Sequence, residues 1–321
     1  MNRLLCTITA IAAISCLWSC SDNAKEVEIG PYTVSVIEKN VYHIQDYNTS
    51  NPAGEAFDAE GNKTHFNNCS DMYLIVGKNE ALLIDLSNNI RWADNAVESL
   101  RQLVSERTEG KPLTITFTHN HGDHIGMMPA YVNDKDVKFA LPETDFSRLI
   151  NRFPQEQSYF INEGHVFDLG GFEVEAISVP GHTDGSVVFY LYGHHLLFSG
   201  DAIGSGHGVW IFNTQAYTKY NEAVPHLISW LEDPGNGVNI NRMRIYGGHY
   251  WQRDWLPELG DNEMGIQYIR DMQQLLDNIK NGTAATEPSG LDRPDLDTYF
   301  RYGSAIVVWN SQQAKEFAAG N

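Results

Sequence analysis

Four side chains able to bind metal, His119, His121, Asp123 and His124, fall within six residues directly after the β-branched run Leu113 to Thr118. In a His-x-His-x-Asp-His spacing, alternate side chains of an extended turn converge. His119 and His121 then share one face, and Asp123 and His124 turn to another. Neutral imidazole and carboxylate are preferred ligands for zinc and its first-row neighbours. Three further candidates each close a strand-like run with glycine beside them: His182 in Pro180-Gly181-His182-Thr183, Asp201 in Phe198-Ser199-Gly200-Asp201, and His249 in Tyr246-Gly247-Gly248-His249. Glycine at such ends lets the backbone carry a ligand close to its neighbours without a Cβ in the way.

The pattern around these clusters predicts alternating strands and helices. Tyr32 to Ile37 and Val41 to Ile44 have hairpin spacing, as do Met72 to Val76 with Ala81 to Leu86 and Val187 to Tyr192 with Leu196 to Ser199. Ala93, Val97, Leu100 and Val104 recur at helical spacing, and a helix is expected to end near Gly110. Ile125 to Val132 and Tyr217 to Leu231 also read as helix, and Ile266 to Ile279 as an amphipathic helix capped by Gly282. Phe172 to Val179, Met243 to Tyr246 and Ser304 to Trp309 read as strands, and the polar stretch Asn48 to Cys69 as a long loop. Strands followed by helices argue for a layered α/β domain, and no repeat or internal linker divides it.

Composition narrows the function. With 42% hydrophobic and 20% charged residues, the 321-residue chain is globular in character. A formal charge of −19 repels nucleic acid and anionic lipid on average, and no extended basic tract offsets it. At the N-terminus, Arg3 precedes the apolar run Leu4 to Trp18, and Leu17-Trp18-Ser19-Cys20 follows. This is the layout of an export signal and is too short for a membrane span. The segment resembles a bacterial lipoprotein signal, which implies a lipid on Cys20 and an exported protein on the periplasmic or cell-surface side of a membrane. The alternative is an ordinary cleaved signal peptide.

Taken together, Thr118-His119-Asn120-His121-Gly122-Asp123-His124-Ile125-Gly126, Gly181-His182-Thr183, Ser199-Gly200-Asp201 and Gly248-His249, preceded by Asp85 in Leu83-Ile84-Asp85, resemble the motif set of the metallo-β-lactamase-fold hydrolases. That resemblance implies an α/β fold, an αββα four-layer sandwich of the metallo-β-lactamase type with a binuclear site at one edge of its two sheets. It assigns His119, His121 and His182 to one metal, Asp123, His124 and His249 to the other, and Asp201 to a bridge between them. Asp201 matches the glyoxalase-II-like thioesterases, lactonases, sulfatases and phosphodiesterases, where true β-lactamases of this fold carry Cys or Ser. The implied cofactors are two divalent ions, zinc first and manganese or iron as alternatives. The implied chemistry is attack by a metal-bridging hydroxide, with Asp123 orienting it or taking its proton.

The expected organisation is a signal peptide over 1–19, a tether over 20–28 and one hydrolase domain over 29–321. The substrate is a small molecule bearing an ester, thioester or lactone, and the only membrane contact is through Cys20. Hydrolysis of a phosphodiester or sulfate ester is the alternative, and a non-catalytic metal-containing binding lipoprotein is the alternative of another class. Four residues are candidate substrate contacts: His207 in the glycine-rich stretch after Asp201, Trp210, and the pair Tyr250 and Trp251 after His249. Phe212 is a further candidate for an aromatic wall. His43, His65, His165, His194, His195 and His226 read as surface, turn or core residues, Lys219 and Arg301 as solvated charges, and Cys69 as an inert thiol.

Overall fold

The computed structural model describes residues 27–46, 56–57, 63–65, 70–91, 93–205, 208–249 and 264–320. Cys20 with its apolar run, Cys69, His207, Tyr250 and Trp251 lie outside them.

An eight-stranded sheet runs Val27–Ile29, Tyr32–Glu38, Val41–Asp46, Asp71–Val76, Ala81–Ile84, Leu113–Thr116, Val137–Pro142 and Ser158–Ile161. Its strands pair antiparallel as far as Ala81–Ile84 and parallel thereafter. A parallel pair needs a crossover, and helix Ala96–Thr108 provides the first one. The second sheet orders Val166–Asp168, Glu173–Ser178, Val187–Leu191, Leu196–Gly200 and Arg244–Gly247. Its last pair is parallel, with helix Thr214–Glu232 in the connection.

Strand Ala81–Ile84 shows why this stacks in four layers. Successive strand side chains point to opposite faces, so Leu82 and Ile84 join the cluster shared with Phe189, Leu196 and Phe198 of the second sheet. Leu83 packs the other way, with Leu100 and Leu103 of helix Ala96–Thr108. Both faces are covered, which is why the run is apolar throughout rather than alternating. The outer face of the second sheet is covered in turn by helices Thr214–Glu232 and Ile266–Lys280. The result is helix, sheet, sheet, helix. A third sheet, Val209–Trp210, Ala305–Trp309, Thr298–Tyr302 and Ala285–Pro288, joins the same core and ties the chain just after Asp201 to the C-terminal strands. Among the described residues no helix is long and apolar enough to cross a membrane.

Three local expectations change. The helix expected over Ile125 to Val132 is a single turn, Gly122–Ile125, followed by a 3-10 turn at Met128–Ala130. The N–H groups of Gly126 and Met127 donate to Ser87 O and Leu86 O, each at 2.8 Å, and so are unavailable to a continuing helix. Pro129 has no N–H to give. In helix Ala96–Thr108, Val97 faces solvent and Leu103 fills the buried stripe with Leu100 and Val104. Two short strands, Ala56–Phe57 and Lys63–His65, pair within the stretch expected to be loop.

Candidate metal centre

All the ligand-type residues follow the C-terminal ends of strands, from both sheets. His119 lies beyond Leu113–Thr116, His182 beyond Glu173–Ser178, Asp201 beyond Leu196–Gly200 and His249 beyond Arg244–Gly247. They meet as two groups: His119, His121, His182 and Asp201, and Asp123, His124 and His249, with the ligand atoms of each group within 4.8 Å of one another.

Asp201 faces both groups. Its Oδ2 is 3.9 Å from His119 Nε2, 3.5 Å from His182 Nε2 and 3.5 Å from His249 Nε2, and its Oδ1 is 3.5 Å from His124 Nε2. His249 Nε2 is also 3.5 Å from Asp123 Oδ2. His121 Nδ1 and His182 Nε2 approach to 2.9 Å. Buried polar atoms are normally hydrogen-bonded, yet His119 Nε2 and His124 Nε2 are buried with no hydrogen-bond partner. Both face the Asp201 carboxylate, and imidazole and carboxylate donors gathered in this way suit a divalent cation.

The electrostatics separate the groups. Burial pushes His119, His121 and His182 down, His182 to about 4, so these imidazoles are neutral and ready as ligands at pH 7. Burial acts the same way on His249, but Asp201 and Asp123 outweigh it and lift His249 to about 9. His124 is raised likewise, against burial, by Asp201, Asp85 and Asp123. Burial opposes ionisation of Asp201 and Asp123, and the facing His249 and His124 overcome it and hold both carboxyls below the usual range.

A set of buried carboxylates orients the ligands. Asp85 Oδ2 is 2.9 Å from His124 Nδ1, and Asp85 accepts from Thr118 N at 2.7 Å and Thr118 Oγ1 at 2.8 Å. Thr118 Oγ1 is in turn 3.0 Å from His119 Nδ1, so one aspartate fixes a ring in each group. Gly200, at φ 49, is a backbone position that side chains rarely adopt, and a Cβ there would lie 2.3 Å from Thr118 Oγ1. Asp145 accepts from Asn120 N at 3.1 Å, Thr183 Oγ1 at 2.7 Å and Gly185 N at 2.7 Å, which joins the His119–His121 turn to the His182 loop. Sequence reasoning did not find Asp145. An isolated aspartate on the helical turn Glu143–Phe146 carries no local mark of partners that lie 25 to 40 positions away.

Among the expected substrate contacts, Trp210 is at the site, with its carbonyl oxygen 3.1 Å from His182 Nδ1. The Phe212 ring lies 5.6 Å from that of His182 and 5.9 Å from that of His121. Arg293, unremarked in the sequence, stands 5.9 Å over both the Trp210 and Phe212 rings. Lys219 pairs with Asp184 at 2.7 Å, and Arg301 with Glu287. His43 contacts Asp71 at 2.9 Å, His195 lies 2.9 Å from Tyr190 Oη, and His226 pairs with Glu163 at 2.6 Å, while His165 packs on Phe167 and His194 meets Glu38.

Comparison with known proteins agrees with this geometry. The family profile described as Metallo-beta-lactamase superfamily matches residues 70–280. An atrochrysone carboxyl ACP thioesterase of Aspergillus chevalieri is 29% identical over 195 residues, 60% of this chain and 56% of its own. A hydroxyacylglutathione hydrolase of Aeromonas hydrophila is 28% identical over 135 residues, 42% of this chain and 46% of its own. The chain spans about half the length of the curated relatives it matches. A solved metallo-beta-lactamase from Pontibacter korlensis superposes with a TM-score of 0.54 at 20% identity, over 77% of this chain and 99% of that one, a likeness of fold. Because the profile match takes in every ligand-bearing loop from Asp85 to His249, the chain belongs to the metallo-β-lactamase superfamily.

Proposed function

We propose that the chain is a dinuclear metal-dependent hydrolase, with zinc the first candidate metal, that cleaves an ester, thioester or lactone. The observation that carries this reading is Asp201, one carboxylate lying within 3.5–3.9 Å of imidazole nitrogens from both ligand groups. Two metal ions so held would supply Lewis acidity and a nucleophilic water at neutral pH.

The chain's own residues supply the rest. Ser205 Oγ donates to Asp201 Oδ1 at 2.9 Å and restrains its carboxylate. Asp123, ionised at neutral pH and part-exposed, is the group placed to orient an attacking water and to accept its proton at a carboxylate oxygen. Asp85 and Asp145 keep the ligand loops in register, so little reorganisation is needed when substrate arrives. Phe212 and Trp210 form an aromatic wall beside His121 and His182 against which the acyl portion can pack. Relatives named as a thioesterase and a hydroxyacylglutathione hydrolase support an acyl substrate rather than a phosphate or sulfate ester. We also propose export and anchoring through a lipid on Cys20.

The test combines metal analysis with substrate profiling. After reconstitution, the soluble portion is expected to hold two equivalents and to turn over aryl esters, thioesters or lactones in preference to bis-aryl phosphates and sulfates. Asp201→Ala is expected to lose both metal and turnover. Retention of at most one equivalent by the unaltered protein refutes the dinuclear reading. A preference for phosphate or sulfate esters refutes the acyl one.

A further inference from the structure

Another carboxylate, Asp46 at the end of strand Val41–Asp46, is fully buried and, among the described residues, is hydrogen-bonded through its side chain to Ser70, Ser87 and Asn88 rather than to a ligand residue. It gathers four donors. Asp46 Oδ1 accepts from Ser70 N at 2.7 Å, and Oδ2 accepts from Asn88 N at 2.9 Å, Asn88 Nδ2 at 3.1 Å and Ser87 Oγ, with Ser70 Oγ 3.2 Å away. A net of this size around one carboxyl group is more than strand pairing requires, and its branches through Ser70 and Ser87 lead toward Asp123, His124 and His249.

Ser70 Oγ also lies against the Asp123 carbonyl oxygen, which accepts its hydrogen bond. The next residue, Asp71, donates its N–H to Gly248 O at 2.8 Å, one residue before His249. Tyr73 Oη donates to Gly247 O at 2.6 Å from the same strand. On the other branch, Ser87 O accepts from Gly126 N, and Leu86 N donates to His124 O at 2.7 Å. Ser87 itself sits at φ 51, a left-handed conformation costly for a serine, and its hydroxyl is tied to Asp46. Among the described residues none of these side chains is hydrogen-bonded to His119, His121 or His182; His121 is reached only at one remove, its carbonyl oxygen accepting from His124 N at 3.0 Å.

We propose that Asp46 is a positioning residue that holds the Asp123, His124 and His249 loops in ligating geometry through Ser70 and the Ser87–Asn88 turn. The inference rests on the dinuclear reading above. Asp46→Asn keeps the shape but turns an amide N–H₂ toward a shell made of donors, so the clasp loosens without a cavity.

The experiment is a cobalt(II) titration of the metal-free full chain, followed by visible absorption. Asp123→Ala identifies the spectral component that belongs to the Asp123, His124 and His249 group, because that component is lost in it. In Asp46→Asn the same component is expected to require about 10- to 100-fold more cobalt, the usual cost of disturbing partners behind a ligand, with the other component within about threefold of its original position. Ser70→Ala, which removes only one branch and is expected to fold, should give the same selective shift in smaller measure. Leu227→Ala, a buried truncation in helix Thr214–Glu232, should lower thermal stability and move neither component. Equal weakening of both components in Asp46→Asn and Ser70→Ala, or no weakening in either, overturns the proposal. A single component in the unaltered protein instead overturns the dinuclear reading on which it stands.

Discussion

Two motif glycines, Gly122 and Gly248, look equivalent in the sequence and should respond oppositely to alanine. A Cβ at Gly248 would lie 2.4 Å from Asp201 Oδ1, 2.7 Å from His124 Cε1 and 3.0 Å from the carbonyl carbon of Gly200. An ordinary contact needs about 3.5 Å, so the Asp201 carboxylate would have to retreat by roughly 1 Å. The backbone cannot yield instead, because Gly248 N donates to Gly200 O and Gly248 O accepts from Asp71 N, each at 2.8 Å. Overpacking of this kind costs about 1–3 kcal/mol of stability, and a misplacement near 1 Å costs about 100-fold in rate. Gly122 has no atom within 4 Å of the equivalent position and opens the turn Gly122–Ile125. Gly122→Ala is therefore expected to be neutral or to stabilise by up to about 1 kcal/mol. The assay is metal content after dialysis against a weak chelator, with turnover and thermal melting of each variant. The reasoning is refuted if Gly248→Ala retains the original metal content and rate, or if Gly122→Ala loses as much as Gly248→Ala does.

Loading metal should release protons at pH 7, because His249, at about 9, and His124 hold them in the metal-free chain; calorimetry in buffers of differing ionisation enthalpy measures this, and release that is absent at pH 7 contradicts the assignment. By the same raised value, the His249 contribution to metal-free stability is full below its ordinary 6.5 and is lost as pH rises through about 9, which melting curves over that window will show. Trp309→Ala removes a fully buried ring stacked on Tyr217 at 4.7 Å, and a loss of about 3–5 kcal/mol is expected by denaturant titration with metal affinity unchanged in the folded fraction. Trp210→Ala should reorder the preference among ester, thioester and lactone substrates at constant metal content, and a uniform loss of rate would count against a substrate-facing role. Expressed in a diderm bacterium, the full chain should partition into detergent while Cys20→Ala does not, since acyl chains contribute about 0.8 kcal/mol per buried methylene; equal partitioning removes the anchor.

Ligand types and the order of the elements were legible in the sequence alone. Ligand type and the His-x-His-x-Asp-His spacing are covalent facts, and strand alternation at Phe172 to Val179 or helical spacing at Ile266 to Ile279 is a property of neighbours in the chain. Tertiary structure decided whatever depends on partners brought from a distance. The helix expected beyond Ile125 stops because Ser87 and Leu86 take the N–H groups of Gly126 and Met127. Asp46 and Asp145 look like any acidic residue until folding removes water from them and surrounds them with donors from segments 24 to 42 positions away. Gly122 and Gly248 differ only in what stands opposite them. Local periodicity reports which face of a segment is buried; hydrogen bonds and close contacts between remote loops are fixed only once the layers have packed.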